Sequence, residues 1–137
     1  MVVKMVFTDV TSPSRVGHVW VVEEGGWPVL VVDGVVQSVH PDLAAGGYWA
    51  AMLPEVRPHR ALLLGFGGGT LAHLLVRRFG AFAIVGVDHN PEMLAAGRRA
   101  FGLPPAGVQL VVADALTFVD GCPGRFDFVA VELSMGM

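Results

Sequence analysis

Cysteine is all but missing. Cys122 stands alone, so no internal disulfide can form and no cysteine-based zinc cluster exists. Histidine offers no substitute, because His18, His40, His59, His73 and His89 show no HxxxH or HExxH spacing; no metal is expected. Charge is sparse, at 15% of residues with a net charge of −3. No lysine and arginine block supplies the electrostatic footprint of a nucleic-acid binder. No apolar run approaches the ~20 residues that span a bilayer. The first residues turn polar at Thr8-Asp9, too soon for the apolar core of a signal peptide. The expectation is a cytoplasmic protein with no nucleic-acid or membrane partner.

Apolar residues, by contrast, make up 53% of the 137 positions. That length suits one domain with a real core, and the richness suits strands buried on both faces, as in α/β folds. Residues 2–10 suggest a first short strand, with loop chemistry over 11–14. Residues 16–23 are β-branched and aromatic and close in a turn at 24–26. Apolar runs over 28–32 and 35–39 flank Asp33-Gly34, a hairpin signal. Residues 48–53 read as a short helix stopped near Pro54. Residues 1–54 are therefore expected to form a small antiparallel β-hairpin region with a linking helix.

The pattern changes near residue 55. Residues 61–64 read as a buried strand that breaks into Gly65-Phe66-Gly67-Gly68-Gly69 and resumes as a helix to about Arg78, with Gly80 as its C-cap. A second strand ends at Asp88. Asn90-Pro91-Glu92 opens a helix, with Asn90 as N-cap, Pro91 in its first turn and Glu92 favourable to its dipole. A third strand over 108–112 leads to a brief helix from Asp114, and 126–132 is a fourth strand. This βαβαβαβ order predicts a Rossmann-like parallel sheet over 55–137 with right-handed crossovers.

Ligands of such sheets collect at the carboxyl ends of the strands. Gly65–Gly69, Asp88, Asp114 and Glu132 all fall at such ends. Glycines let a ligand approach a main chain whose amides a helix start leaves free. Asp88 suits the two hydroxyls of a ribose, or else caps the turn at Asn90; Asp114 suits an adenine amino group, or else caps the short helix. The nicotinamide fingerprint wants glycine or alanine where Thr70 stands, and the lysine of a P-loop is missing. The Gly65-x-Gly67-x-Gly69 spacing, the strand-end acid and Asp114-Ala115 look instead like class I S-adenosylmethionine-dependent transferases.

Leu30-Val31-Val32-Asp33-Gly34-Val35-Val36-Gln37-Ser38, a downstream Tyr48, and Leu64 through Leu71 resemble the spermidine synthase (aminopropyltransferase) family. The likeness extends through Val87-Asp88-His89-Asn90-Pro91-Glu92, Val112-Ala113-Asp114-Ala115 and Phe126-Asp127-Phe128-Val129. The resemblance implies a class I methyltransferase-type sheet, here only its first four strands, with a hairpin region ahead of it. It implies transfer of an aminopropyl group from decarboxylated S-adenosylmethionine to a small amine, without a metal. Gln37 would line the site near the thioether or amine. Gly65, Gly67, Gly68 and Gly69 would meet the ligand, Asp88 its ribose, Asp114 with Ala115 its adenine, and Tyr48 the acceptor. Glu132 takes the place of the catalytic aspartate.

The sequence also departs from that family. Gly68 stands where the loop usually carries an aspartate, and the Asp-x-x-Asp pair after the fourth strand reads Glu132-Leu133-Ser134-Met135. The chain stops soon after this strand, where the fold usually continues, and an exposed edge strand calls for a second copy, so a homodimer is expected. Three readings stay open: an aminopropyltransferase-like enzyme, an S-adenosylmethionine-dependent methyltransferase acting on another small acceptor, and a catalytically incomplete relative serving as a nucleoside-binding or dimerisation module.

Overall fold

A computed structural model describes residues 3–4, 14–44, 47–102, 106–122 and 124–132. The N-terminal strands are β1 (Val3–Lys4), β2 (Ser14–Val16), β3 (Val19–Glu24), β4 (Trp27–Val32) and β5 (Val35–Val39). They form one antiparallel sheet in the order β1-β5-β4-β3-β2. At the β4–β5 turn Asp33 and Gly34 have φ of 52° and 76°, the paired left-handed geometry of a type I′ hairpin. The expected single strand over 16–23 is corrected. It is broken at Gly17-His18, where Gly17 turns at φ 58° and the His18 amide donates to the Glu92 carboxylate at 2.9 Å. Of the expected first strand only Val3–Lys4 is described, pairing with Val36 and Val35; the rest of 2–10 and most of the 11–14 loop lie outside the described residues.

The linking segment is a single 3-10 turn, Ala50–Met52, shorter than the helix expected over 48–53. Leu53 has already turned extended, at φ −67° and ψ 134°, as a residue before proline prefers.

The second sheet is parallel: β6 (Arg60–Leu64), β7 (Ala83–Asp88), β8 (Val108–Val112) and β9 (Phe128–Val131), in the order β8-β7-β6-β9. Helices α1 (Thr70–Phe79), α2 (Pro91–Phe101) and α3 (Ala115–Gly121) connect them. The chain steps outward from β6 to β8, then returns to the far side of β6 as β9. That reversal creates a switch point beside the carboxyl end of β6, where such sheets hold ligands. Asn90 caps α2 as expected, its side-chain oxygen accepting from the amides of Glu92 and Met93 at 3.0 and 3.3 Å. Strand β9 is narrower than the expected 126–132. Asp127 ahead of it accepts from the amides of His59 and Arg60, both at 2.8 Å, tying the starts of β9 and β6 together.

The two sheets share a core. Val29, Val31, Val36 and Val39 of the first pack with Ala61, Leu63, Ile84, Leu71 and Leu75 of the second sheet and α1. A second cluster fastens α2 to the N-terminal sheet through Val19, Leu30, Met93, Ala96 and Phe101. On the opposite face of the parallel sheet, Leu62, Leu64, Val85 and Val87 lie with Ala115 and Phe118 of α3. Val129 and Val131, in register with Leu62 and Leu64, continue that face at the β9 edge and are 50% and 53% exposed. Among the described residues no helix is long and apolar enough to cross a membrane.

Candidate functional site

The glycine loop does not present an open row of amides. Gly65 and Phe66 donate to the Val87 carbonyl at 2.8 and 3.0 Å, and Gly69 donates to the Phe66 carbonyl at 3.1 Å. Gly67 donates to Asp88 Oδ2 at 2.7 Å and Gly68 to Ser38 Oγ at 2.8 Å. Each amide from Gly65 to Gly69 is thus paired inside the protein, which corrects the expectation of free amides there. A phosphate needs such donors unoccupied, and this loop offers it none.

Strand β5 clamps the loop. Beyond the Ser38–Gly68 bond, the Thr70 hydroxyl donates to the Val39 carbonyl at 2.6 Å and accepts from the Val39 amide at 3.2 Å. Ser38 and Thr70 are 2% and 1% exposed, so these bonds are made away from water, where leaving one unmade is expensive. The residue before this clamp is Gln37, which lines the cleft. Strand alternation explains the arrangement, since Gln37 and Ser38 leave β5 on opposite faces.

A cleft of about 100 Å³ opens at the switch point, lined by Val32, Gln37, Gly65, Phe66, Gly67, Asp88, His89, Asn90, Met93 and Glu132. Phe66 lies against Gly86, where an added Cβ would fall 2.1 Å from the ring; the glycine in β7 seats the aromatic side of the loop. The lining holds two carboxyl groups and, among the described residues, neither lysine nor arginine. That balance suits a cationic ligand.

Asp88 is 8% exposed and accepts from the Gly67 amide and, at 3.0 Å, from the Asn90 amide. It therefore supports the loop and the α2 turn from a position on the cleft wall. Glu132 follows β9, its amide donating to the Leu64 carbonyl at 2.8 Å, and its Oε2 accepts the Trp49 indole N–H at 2.8 Å. Burial pushes the Glu132 carboxyl up to about 7, against a smaller downward pull from the Trp49 bond. An acid so shifted in a cleft is a candidate proton acceptor near neutral pH.

Other expected site residues stand elsewhere. Asp114 caps α3, accepting from the Thr117 amide and hydroxyl at 3.1 and 3.2 Å, and Ala115 packs against the sheet below α3. Tyr48 contacts the Trp49 ring edge-on at 5.2 Å, and burial followed by the Glu132 charge raises its pKa. Gly68 is sealed, since a Cβ there would sit 2.6 Å from both Leu30 and Phe101, and Gly69 turns beneath Phe66 at φ 95°. None of these five is among the described lining of the cleft. Met135, which stands at the second acidic position of the Asp-x-x-Asp pair, lies outside the described residues. Sequence reading missed Ser38, Thr70 and Trp49, whose only signal was adjacency to Gln37, Gly69 and Tyr48.

Comparison with known proteins agrees with this fold. A polyamine aminopropyltransferase of Chromobacterium violaceum is 32% identical over 77 residues, which are 55% of this chain and 30% of that protein. A trans-aconitate 2-methyltransferase of Methylobacterium nodulans is 45% identical over 49 residues, 36% of this chain and 19% of that one. The chain thus spans less than a third of either curated relative. The crystal structure of a spermidine synthase in complex with the transition state analogue AdoDATO matches with a TM-score of 0.69 at 13% identity, over 90% of this chain and 47% of that one. A methyltransferase domain model matches residues 61–136. With more than half of its length so matched, the chain belongs to the methyltransferase domain family and carries a spermidine synthase-like class I fold.

Proposed function

We propose that this domain binds S-adenosylmethionine or its decarboxylated form and serves alkyl transfer to a small amine, in the manner of an aminopropyltransferase. The observation that carries this reading is Glu132, a carboxyl poised at about 7 in the same cleft as Gln37, Asp88 and the glycine loop. An ammonium group has no lone pair, so the acceptor must lose a proton before it attacks the carbon bonded to sulfur. Glu132 takes that proton, the new C–N bond forms, and the C–S bond breaks with its electron pair going to sulfur. The sulfonium becomes a neutral thioether. The positive charge passes from sulfur to the new ammonium nitrogen. Asp88 attracts the charged donor and has no such hold on the neutral thioether that leaves, and Gln37 supplies a neutral polar wall.

Methyl transfer is the second reading, favoured by Gly68. In the spermidine synthase family that the sequence resembles, an aspartate at that position contacts the ligand's aminopropyl group, and here the packing of Leu30 and Phe101 leaves no room for one. Methyl transfer is chiefly a matter of alignment and needs fewer dedicated groups. The two readings part in one experiment. The chain is incubated with putrescine and each sulfonium donor in turn, and the amine product is weighed by mass spectrometry. Aminopropylated amine supports the first reading and methylated amine the second. No product, with ligand binding intact, leaves a nucleoside-binding module.

The homodimer stands as part of this proposal. Half-exposed Val129 and Val131 on the edge strand β9 are the surface a second copy would cover. Light scattering should give a dimer that Val131→Lys dissociates; a stable monomer at micromolar concentration removes the idea.

A further inference from the structure

We infer that Trp49 is the positioning residue for Glu132, its indole N–H holding Oε2 so that Oε1 remains the oxygen that takes the acceptor's proton. This assignment rests on the reading of Glu132 as the acceptor's base. The bond is 2.8 Å long and joins residues 83 positions apart. Trp49 is only 8% exposed and belongs to the main core, with Tyr48 against its ring edge. Its donor is therefore held by packing on several sides. Glu132 follows β9, the edge strand of the parallel sheet among the described residues, and its amide is held by the Leu64 carbonyl, so the indole bond is the contact that fixes its carboxylate to the core.

The choice of tryptophan has a chemical consequence. Indole donates and does not accept, and it does not titrate in the working range. It can orient a carboxylate without competing for the proton that the carboxylate must exchange. A histidine at this place would take up or share that proton. Stabilising the charged form, the indole also keeps part of the Glu132 population ionised at neutral pH although burial opposes ionisation. Among the described residues, the other titratable groups facing this corner are Tyr48 beside Trp49, and Asp88 and His89 in the same cleft.

Carboxyl carbon NMR of the full chain tests the assignment, with Glu132→Gln identifying the resonance. The parent should titrate near 7, and Trp49→Phe, which keeps the aromatic bulk and removes the N–H, should bind the proton about tenfold more tightly. Within the parent itself, the Trp49 indole nitrogen and hydrogen shifts should follow the same titration. That second measurement holds even if the variant fails to fold. An unchanged Glu132 midpoint in folded Trp49→Phe, or indole shifts that stay flat through the Glu132 titration, overturns the proposal. Calorimetry with the sulfonium ligands is run in parallel. Absent binding with a coupled titration removes the functional reading alone, and intact binding with a flat indole removes the Trp49 assignment alone.

Discussion

The Ser38 hydroxyl accepts the Gly68 amide at 2.8 Å across 30 positions of sequence, joining the N-terminal hairpin to the glycine loop. The hairpin is thus built into the loop that forms the cleft floor, with Thr70 and Val39 adding two more bonds beside it. Ser38→Ala leaves a buried amide without its acceptor. It should cost about 1–3 kcal/mol of stability, measured by urea unfolding, and should weaken ligand binding because Gln37 and the loop lose their common anchor. A stability change near zero would mean that the bond adds nothing to the native state.

Gly97→Ala separates helix propensity from packing. In an exposed helix this exchange stabilises by about 0.5–1 kcal/mol. Here an added Cβ would fall 2.6 Å from both Cα and the carbonyl oxygen of Gly68, and that backbone is held by Ser38. The expected result is a loss of about 1–3 kcal/mol from overpacking, read as a lowered melting temperature. A rise would show that α2 and the loop can part freely.

Two carboxyl groups should give the stability profile opposite slopes. Glu132 is raised from 4.5 to about 7 by burial, so the folded state binds its proton more tightly than the unfolded chain does. Its contribution is full below pH 4.5 and is lost as pH rises to about 7, on the order of 2–3 kcal/mol. Asp127 runs the other way. The His59 and Arg60 amides lower it from 3.8 to about 2, so its contribution is present above 3.8 and is lost as pH falls through about 2. Glu132→Gln should flatten the first limb and Asp127→Asn the second in chemical unfolding followed against pH.

Asp88→Asn tests whether that carboxylate serves a ligand or only its neighbours. The amide can still accept one backbone N–H but cannot accept both the Gly67 and Asn90 bonds. Affinity for a sulfonium adenosyl ligand should fall by about 1–3 kcal/mol in calorimetry on the folded variant. Unchanged affinity would confine Asp88 to supporting the loop and α2.

What the sequence disclosed follows the range of the forces involved. Asp33-Gly34 and Asn90-Pro91-Glu92 are local devices whose geometry is written in adjacent residues, and both stand where expected. The order of strands and helices was legible for the same reason, through apolar runs and their punctuation. Gly17 was not. Its turn interrupts a β-branched run, and its partner Glu92 comes from a distant helix. The pairings Ser38–Gly68, Thr70–Val39 and Trp49–Glu132 were hidden likewise, since nothing local announces which buried donor meets which acceptor. Gly68 reads from sequence as a loop position open to ligand, and only the packing of Leu30 and Phe101 closes it. Asp114 offered two local readings, and its bonds to Thr117 are those of a cap.

The central claim is that the cleft holding Asp88 and Glu132 receives a sulfonium adenosyl ligand. Isothermal titration calorimetry with S-adenosylmethionine, its decarboxylated form and neutral methylthioadenosine, run at about pH 6 and about pH 8, tests it most directly. Binding should be seen for at least one sulfonium, and it should tighten at the higher pH as Glu132 ionises. The neutral thioether should bind without that gain. No heat with any of the three, or a sulfonium affinity indifferent to pH, would contradict the account.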